Sequence, residues 1–114
     1  MTSEMPFLYR VVITEQALAR IGEQARYIAI EGQAPLNAAR WLSRVLAAAE
    51  MLETMPRRYP VASENGHHPF EVRALSVDGF LLLFTVSDED RAVRVLNARH
   101  ARQLPRPGEI VPPG

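Results

Sequence analysis

Apolar residues in the first half of the chain recur at helical spacing. The β-branched run at residues 9–13 predicts a short strand, and Thr14 directly after it is a favourable helix N-cap. The apolar stripe that follows ends at Gly32 and consists of Leu18, Ile21, Ala25 and Ile28. A second stripe begins after Pro35, ends at Pro56, and consists of Leu42, Val45, Leu46, Ala49 and Leu52. Because few residues join the two stripes, the pattern predicts an antiparallel helical hairpin.

The second half of the chain changes to strand-like patterns. Residues 56–69 are rich in proline and polar residues, which predicts a loop. Three apolar runs follow at residues 70–75, 80–86 and 92–98, and an Asp-Gly pair between the first two is a hairpin-turn signal. The middle run is apolar on both faces, which is typical of a central strand. The predicted fold is therefore α+β, in the order β-α-α-β-β-β. A small, mainly antiparallel sheet carries the N-terminal helical hairpin on one face, and its other face is at least partly open.

The last eleven residues differ in composition from the rest of the chain. Residues 104–114 contain four prolines and two glycines, and such a segment favours neither a helix nor a regular strand. We therefore expect one domain over residues 1–103 and a proline-rich C-terminal arm over residues 104–114. The arm is expected to be held by little more than Leu104, Ile110 and Val111.

Composition restricts the chemistry that the chain can perform. All 13 basic residues are arginine, and they balance 13 acidic residues, so the chain is not expected to coat nucleic acid through bulk charge. The absence of cysteine excludes disulfides and thiolate metal sites. His67 and His68 do not have the spacing of zinc ligands with His100, so we expect no metal and no cofactor. With no long apolar run and no signal sequence, we expect a cytoplasmic protein that does not enter membranes.

Five segments, taken in order, carry a resemblance to a known family. They are YRVVITEQALARIGEQARYIA near the start, MPRRYP after the second helix, then EVRAL, DGFLLLFTV and VRVLNARHAR. Together they resemble the RelE/ParE family of bacterial type II toxins over residues 9–103. The resemblance implies a toxin of the plasmid-stabilisation type that inhibits growth when it is free. It also implies a cognate antitoxin, which we expect to bind through an acidic, amphipathic C-terminal segment.

The two branches of that family act on different targets. One branch cleaves messenger RNA on the ribosome, and the other poisons DNA gyrase. The nuclease branch typically has an arginine early in its central strand, at the position where this chain has Leu81. A leucine cannot stabilise the charge that builds on a phosphate during strand scission. We therefore expect the ParE-like branch, with gyrase as the target and binding as the activity, and we keep ribosome-dependent mRNA cleavage as the alternative.

A cationic cluster at the end of the last predicted strand is the candidate site. Arg99, His100 and Arg102 are expected at the rim of the sheet, with Arg73 arriving from a neighbouring strand, and all four are expected to bind the target. In the enzymatic alternative, His100 would transfer a proton, and Arg73 and Glu71 would act with it. Structural roles are also open, as a polar strand end for His100 and a cross-strand ion pair for Arg73.

Overall fold

The computed structural model describes residues 8–113. Two long helices and four strands follow one another in chain order as β1 (Arg10–Ile13), α1 (Glu15–Ile30), α2 (Pro35–Glu50), β2 (Arg73–Val77), β3 (Phe80–Ser87) and β4 (Ala92–His100). Short 3-10 helices lie at Met51–Glu53, Pro56–Arg58 and Pro107–Glu109. Thr14 is the N-cap of α1, as predicted, because its Oγ1 accepts a hydrogen bond from the amide of Ala17 at 3.2 Å.

The four strands form one sheet in the order β1-β4-β3-β2. β1 runs parallel to β4, whereas the other two strand pairs are antiparallel. Asp78 and Gly79 form the turn between β2 and β3, and both have positive φ angles, of 52° and 79°. Positive φ at both positions matches the right-handed twist of a two-residue hairpin. The predicted α+β fold, with a mainly antiparallel sheet and an N-terminal helical hairpin, is confirmed.

The helical hairpin packs on one face of the sheet and forms the main core. Trp41 of α2 lies edge-to-face against Phe80 of β3, with the ring centroids 5.2 Å apart. The apolar stripe of α1 differs from the predicted one, because Leu18 is 49% exposed and Ala17 is buried instead. Ala17 and Ile21 are four residues apart, so they share the helix face that meets the sheet.

The opposite face of the sheet is more closed than predicted. Leu83 of β3 and Leu96 of β4 are fully buried there, in a second apolar cluster with Ala62, Val72 and Ile110. The loop before β2 and the C-terminal segment therefore cover this face together. Of the three apolar side chains of the predicted arm, Ile110 is 2% exposed, whereas Leu104 and Val111 remain largely exposed.

The first strand of the β2–β3 hairpin begins later than predicted. Residues 70–72 alternate between buried and exposed as expected, but Val72 forms no hydrogen bond to β3. Its amide donates to Oδ1 of Asn65, and its carbonyl accepts from the amide of Ala62. β2 then continues to Val77, which pairs with Phe80 across the turn. The tight turn fixes the hairpin register, and this register extends the strand to the residue before Asp78.

Candidate functional site

Arg99, near the end of β4, is bound almost completely by its own chain. Its Nε and Nη2 donate to the two carboxylate oxygens of Glu64, at 2.6 and 3.2 Å. Its Nη1 donates to the carbonyls of His100 and Gln103, at 3.0 and 3.1 Å. The side chains of Arg99 and Glu64 are only 11% and 1% exposed. The guanidinium therefore ties the loop before β2 to the turn after β4, and it has little surface left for a target.

His100, the last residue of β4, is exposed and is held by two contacts. Its Nε2 lies 2.9 Å from Oε1 of Gln24 on α1 and donates a hydrogen bond to it. Its ring packs edge-to-face on Phe80, with centroids 5.5 Å apart. Hydrogen bonding and ring packing together fix the orientation of the imidazole at the rim of the sheet.

Arg73, at the start of β2, has a structural environment similar to that of Arg99. Its Nε donates to Glu71 at 2.7 Å, and its Nη1 donates to the carbonyls of Tyr59 and Arg57, at 2.6 and 3.1 Å. The side chain is 17% exposed. Arg73 and Glu71 therefore form an ion pair that anchors the loop before β2.

The structure does not bring Arg73 and Arg99 together. Arg73 is opposite Phe84, which packs under the helical hairpin, whereas Arg99 is opposite Leu81, which packs against the second cluster. Directly opposed residues of an antiparallel pair share a face, so the two arginines project from opposite faces of the sheet. His100 is opposite Phe80 of the main core, so it projects from the same face as Arg73, and the expected four-residue cluster is divided between the two faces of the sheet.

Arg102 and Leu81 complete the set of predicted positions. Arg102 is exposed in the turn after β4, and among residues 8–113 no hydrogen bond or ion pair holds its side chain. Leu81 is partly buried against the second apolar cluster. The position at which the nuclease branch typically has arginine is therefore occupied by a packing residue.

A cleft of about 490 Å³ lies beside the end of β4. We call it the β4-edge cleft. Residues of α1, of the loop before β2, of the β4 end and of the C-terminal segment line it, among them Gln24, Glu64, Asn97, Arg99 and Glu109. β1 pairs with β4 only as far as Val95, and the next three residues of β4 are nevertheless covered, since Leu96, Asn97 and Ala98 are each at most 5% exposed. A β-bulge in β4 leaves Leu96 without an opposite residue in β3. Phe84 is opposite Val95, and Leu83 is opposite Asn97.

Asn97 and Glu64 are residues of this cleft that sequence reasoning missed. Asn97 is 5% exposed, and its Oδ1 is buried without a hydrogen-bond partner among the described residues. Buried polar atoms are nearly always paired, so this one is unusual. The signal available in the sequence was an asparagine inside the apolar run VRVLNA. Glu64, which lies in a loop without a motif, gave no such signal.

Tyr9, before β1, and Arg57, after α2, form a second polar cluster with Asp88 of the loop between β3 and β4. Asp88 Oδ1 accepts from the Tyr9 hydroxyl at 2.6 Å and from Nη1 of Arg57 at 3.0 Å. These hydrogen bonds, that of Arg57 first, lower the pKa of Asp88. The hydrogen bond to the Asp88 carboxylate raises the pKa of Tyr9. The cluster pins this loop onto the Pro56–Arg58 turn.

No metal-binding arrangement appears in the described part of the chain. Residues 8–113 contain no group of three histidine, aspartate or glutamate side chains placed to hold an ion. His68 instead stacks on Phe70, and its Nε2 lies 2.8 Å from the carbonyl of Pro107. None of the helices within residues 8–113 has the length and apolar character needed to span a bilayer.

Comparison with known families identifies the chain. The model of the ParE toxin of type II toxin–antitoxin systems, parDE, matches residues 11–105. The chain belongs to the ParE toxin family. Nearly the whole described fold, from β1 to the turn after β4, lies within this match.

A solved structure supports the family's fold for this chain. The structure of a chromosomal ParDE TA system from P. aeruginosa is similar, with a TM-score of 0.64 and 16% sequence identity. The similarity covers 84% of this chain and 99% of that chain. A comparison with curated proteins gives no significant match. The ParE assignment confirms the resemblance seen in the sequence, and the low identity to the solved structure means that this likeness supports the fold alone.

Proposed function

We propose that this ParE-family toxin inhibits growth by contacting DNA gyrase, and that a cognate antitoxin neutralises it. The observation that carries the gyrase proposal is the position of Leu81. In place of a cation on the central strand, the chain has a leucine packed against the second apolar cluster. Scission of a phosphodiester needs a preorganised positive group where charge develops.

The state of the two candidate arginines also supports binding over catalysis. Arg73 and Arg99 are each paired with a glutamate of the same chain, and they project from opposite faces of the sheet. An arginine that is already paired offers little stabilisation to a transition state. Neither arginine is therefore free to act with His100 in phosphate chemistry. This disfavours the mRNA endonuclease alternative.

Accessible residues at the end of β4 are the proposed contact surface for the target. Nothing within residues 8–113 pairs with the guanidinium of Arg102, and His100, two residues earlier, presents an exposed ring. Arg73 and Arg99 contribute indirectly, because their ion pairs hold the loop and the strand end in place. Arg102 can form bidentate hydrogen bonds to carboxylate or phosphate, which suits a surface that meets gyrase or its DNA.

An antitoxin partner is supported by the family and by exposed apolar surface. The similar solved structure is a ParDE TA system. In this chain, Tyr27 and Ile30 at the end of α1 and Leu36 at the start of α2 are each more than 60% exposed. Exposed apolar side chains in neighbouring positions favour a protein partner. An amphipathic antitoxin segment could cover them with its apolar face.

The proposal is tested by inducing the chain alone in a bacterium and following DNA synthesis and protein synthesis separately. We expect DNA synthesis to stop first, with induction of the response to DNA breaks. Co-expression of the protein encoded beside the toxin should restore growth. An early stop of protein synthesis with intact DNA would contradict the gyrase proposal and favour mRNA cleavage.

A further inference from the structure

The loop before β2 contains an asparagine followed directly by a glycine, Asn65 and Gly66. Asn65 is partly buried, and Gly66 is exposed. The main-chain amide of Asn65 donates to the carbonyl of Ala62 at 3.0 Å, and its Oδ1 accepts from the amide of Val72 at 2.9 Å. These two hydrogen bonds hold the carboxamide of Asn65 beside the start of β2.

The main-chain nitrogen of Gly66 is accessible to the side chain of Asn65. Gly66 has a φ angle of 97°, and a Cβ built on it would meet no atom within 4 Å. No acceptor within residues 8–113 takes its N–H. Because glycine has no side chain to shield this nitrogen, it can attack the carboxamide carbon of the preceding residue and close a five-membered ring.

The hydrogen bond from Val72 favours this attack. When the nitrogen of Gly66 adds to Cγ of Asn65, negative charge develops on Oδ1. The amide of Val72 already donates to Oδ1. A donor that is fixed at a developing oxyanion lowers the barrier of such a step. The fold therefore supplies one hydrogen-bond donor to the tetrahedral intermediate.

We propose that Asn65 is a site of spontaneous deamidation in the folded toxin. The nitrogen of Gly66 forms a bond to Cγ of Asn65, the bond from Cγ to Nδ2 breaks, and Nδ2 takes up the proton of the Gly66 amide and leaves as ammonia. The resulting succinimide adds one water molecule and opens to aspartate or isoaspartate. No group is oxidised or reduced, and water is the only co-reactant.

The modification is expected to loosen the loop before β2. In isoaspartate the former side-chain carbonyl belongs to the main chain, so the amide of Val72 loses its acceptor. A new carboxylate also appears next to Glu64, which is 1% exposed and paired with Arg99, and like charges repel each other. Ala62 of the same loop belongs to the second apolar cluster. The converted chain therefore covers that cluster less firmly.

The test incubates the full folded chain at neutral pH, digests it with trypsin and measures the masses of the peptides, with an unincubated sample as the reference. Residues 59–73 form one tryptic peptide, in which Asn65 is the only side-chain amide. We expect the mass of this peptide to change by the replacement of NH with O. Conversion should be at least about tenfold faster than at Asn37 and Asn97, which precede alanine in α2 and β4 and have no exposed glycine after them.

The same chain incubated in guanidinium chloride is the unfolded reference. Conversion of Asn65 in the unfolded chain, but not in the folded chain, would overturn the proposal, because the fold would then protect the carboxamide. Equal conversion of Asn37 or Asn97 in the folded chain would also overturn it, because the loop would then provide no selectivity.

Hydrogen exchange at the amide of Val72 tests the effect on the loop. We expect this amide to exchange about tenfold faster in the incubated chain than in the fresh chain, because local opening becomes easier when its acceptor is lost. Asn65→Gln is the matched control, since it keeps a carboxamide whose longer side chain does not close a five-membered ring. Its fresh and incubated forms should exchange alike. Unchanged exchange at Val72 after full conversion of Asn65 would overturn the proposed loosening of the loop.

Discussion

At the scale of single residues, the ion pair of Glu64 and Arg99 explains why an apolar strand ends in cations. Arg99 donates through three nitrogens to Glu64 and to carbonyls of the turn after β4. The pair is nearly buried, with side chains 1% and 11% exposed. In such surroundings, removing one partner leaves a charge that the fold cannot compensate.

We expect Arg99→Met to lower the free energy of unfolding by about 3–5 kcal/mol, because Glu64 is left buried and unpaired. The double variant Glu64→Met/Arg99→Met should recover most of the loss, since it removes both charges and keeps apolar volume. Chemical denaturation of the single and double variants measures both effects. Equal stability of Arg99→Met and the unsubstituted chain would show that Glu64 finds another partner.

At the scale of elements, the loop between β3 and β4 is fixed by side chains that are distant in sequence. Tyr9 precedes β1 and Arg57 follows α2, yet both donate to Asp88. The lowered pKa of Asp88 means that its carboxylate stabilises the fold above its ordinary pKa. That contribution is lost as the pH falls through the lowered value. The raised pKa of Tyr9 acts at alkaline pH. Its protonated hydroxyl stabilises the fold below the ordinary pKa of tyrosine, and that contribution is lost as the pH rises through the raised value.

Asp88→Asn should therefore flatten the pH dependence of stability at both ends of the range. The change is expected to be small, because the carboxylate is 65% exposed and solvent screens it. Glu89→Gln, one residue later and also exposed, is the control and should leave the pH profile unchanged. Thermal unfolding measured across the pH range gives the comparison. An identical profile for Asp88→Asn and Glu89→Gln would show that the cluster does not stabilise the loop.

Local sequence patterns predicted most of the helices and strands. The features that the sequence did not predict depend on contacts between residues that are distant in sequence. Thr14 and the Asp78-Gly79 turn have local signatures, and both occur as expected. The late start of β2 depends on Asn65 and Ala62, which bond to Val72 across a loop. The candidate cations were found from their order in the sequence, but their pairing with Glu64 and Glu71 depends on the three-dimensional arrangement. Asn97 became recognisable only once the bulge and the cleft were visible.

At the scale of the whole molecule, the C-terminal segment is part of the packed structure. Ile110 is buried in the second apolar cluster, and the carbonyl of Glu109 accepts from Nε2 of Gln16 on α1 at 2.6 Å. These contacts join the segment both to the sheet and to the helical hairpin. The segment also lines the β4-edge cleft, so its packing sets the shape of that cleft.

Ile110→Ala should lower the free energy of unfolding by about 2–4 kcal/mol, because it opens a cavity in the second cluster. Val111→Ala is the matched control, since Val111 is 57% exposed, and it should change stability by less than about 0.5 kcal/mol. Denaturant titration measures both variants. Equal effects of the two substitutions would mean that the segment is only loosely held.

We propose that this ParE-family toxin acts by binding gyrase and not by cleaving RNA. The most direct measurement incubates the purified chain with gyrase and DNA, and in parallel with a translating extract, and scores broken DNA and cleaved messages. We expect gyrase-dependent DNA breaks that Arg102→Ala reduces and His100→Ala reduces only modestly, with messages left intact. Loss of a proton-transfer group would cost at least about a hundredfold in rate. Message cleavage that disappears in His100→Ala, without gyrase-dependent breaks, would contradict the account.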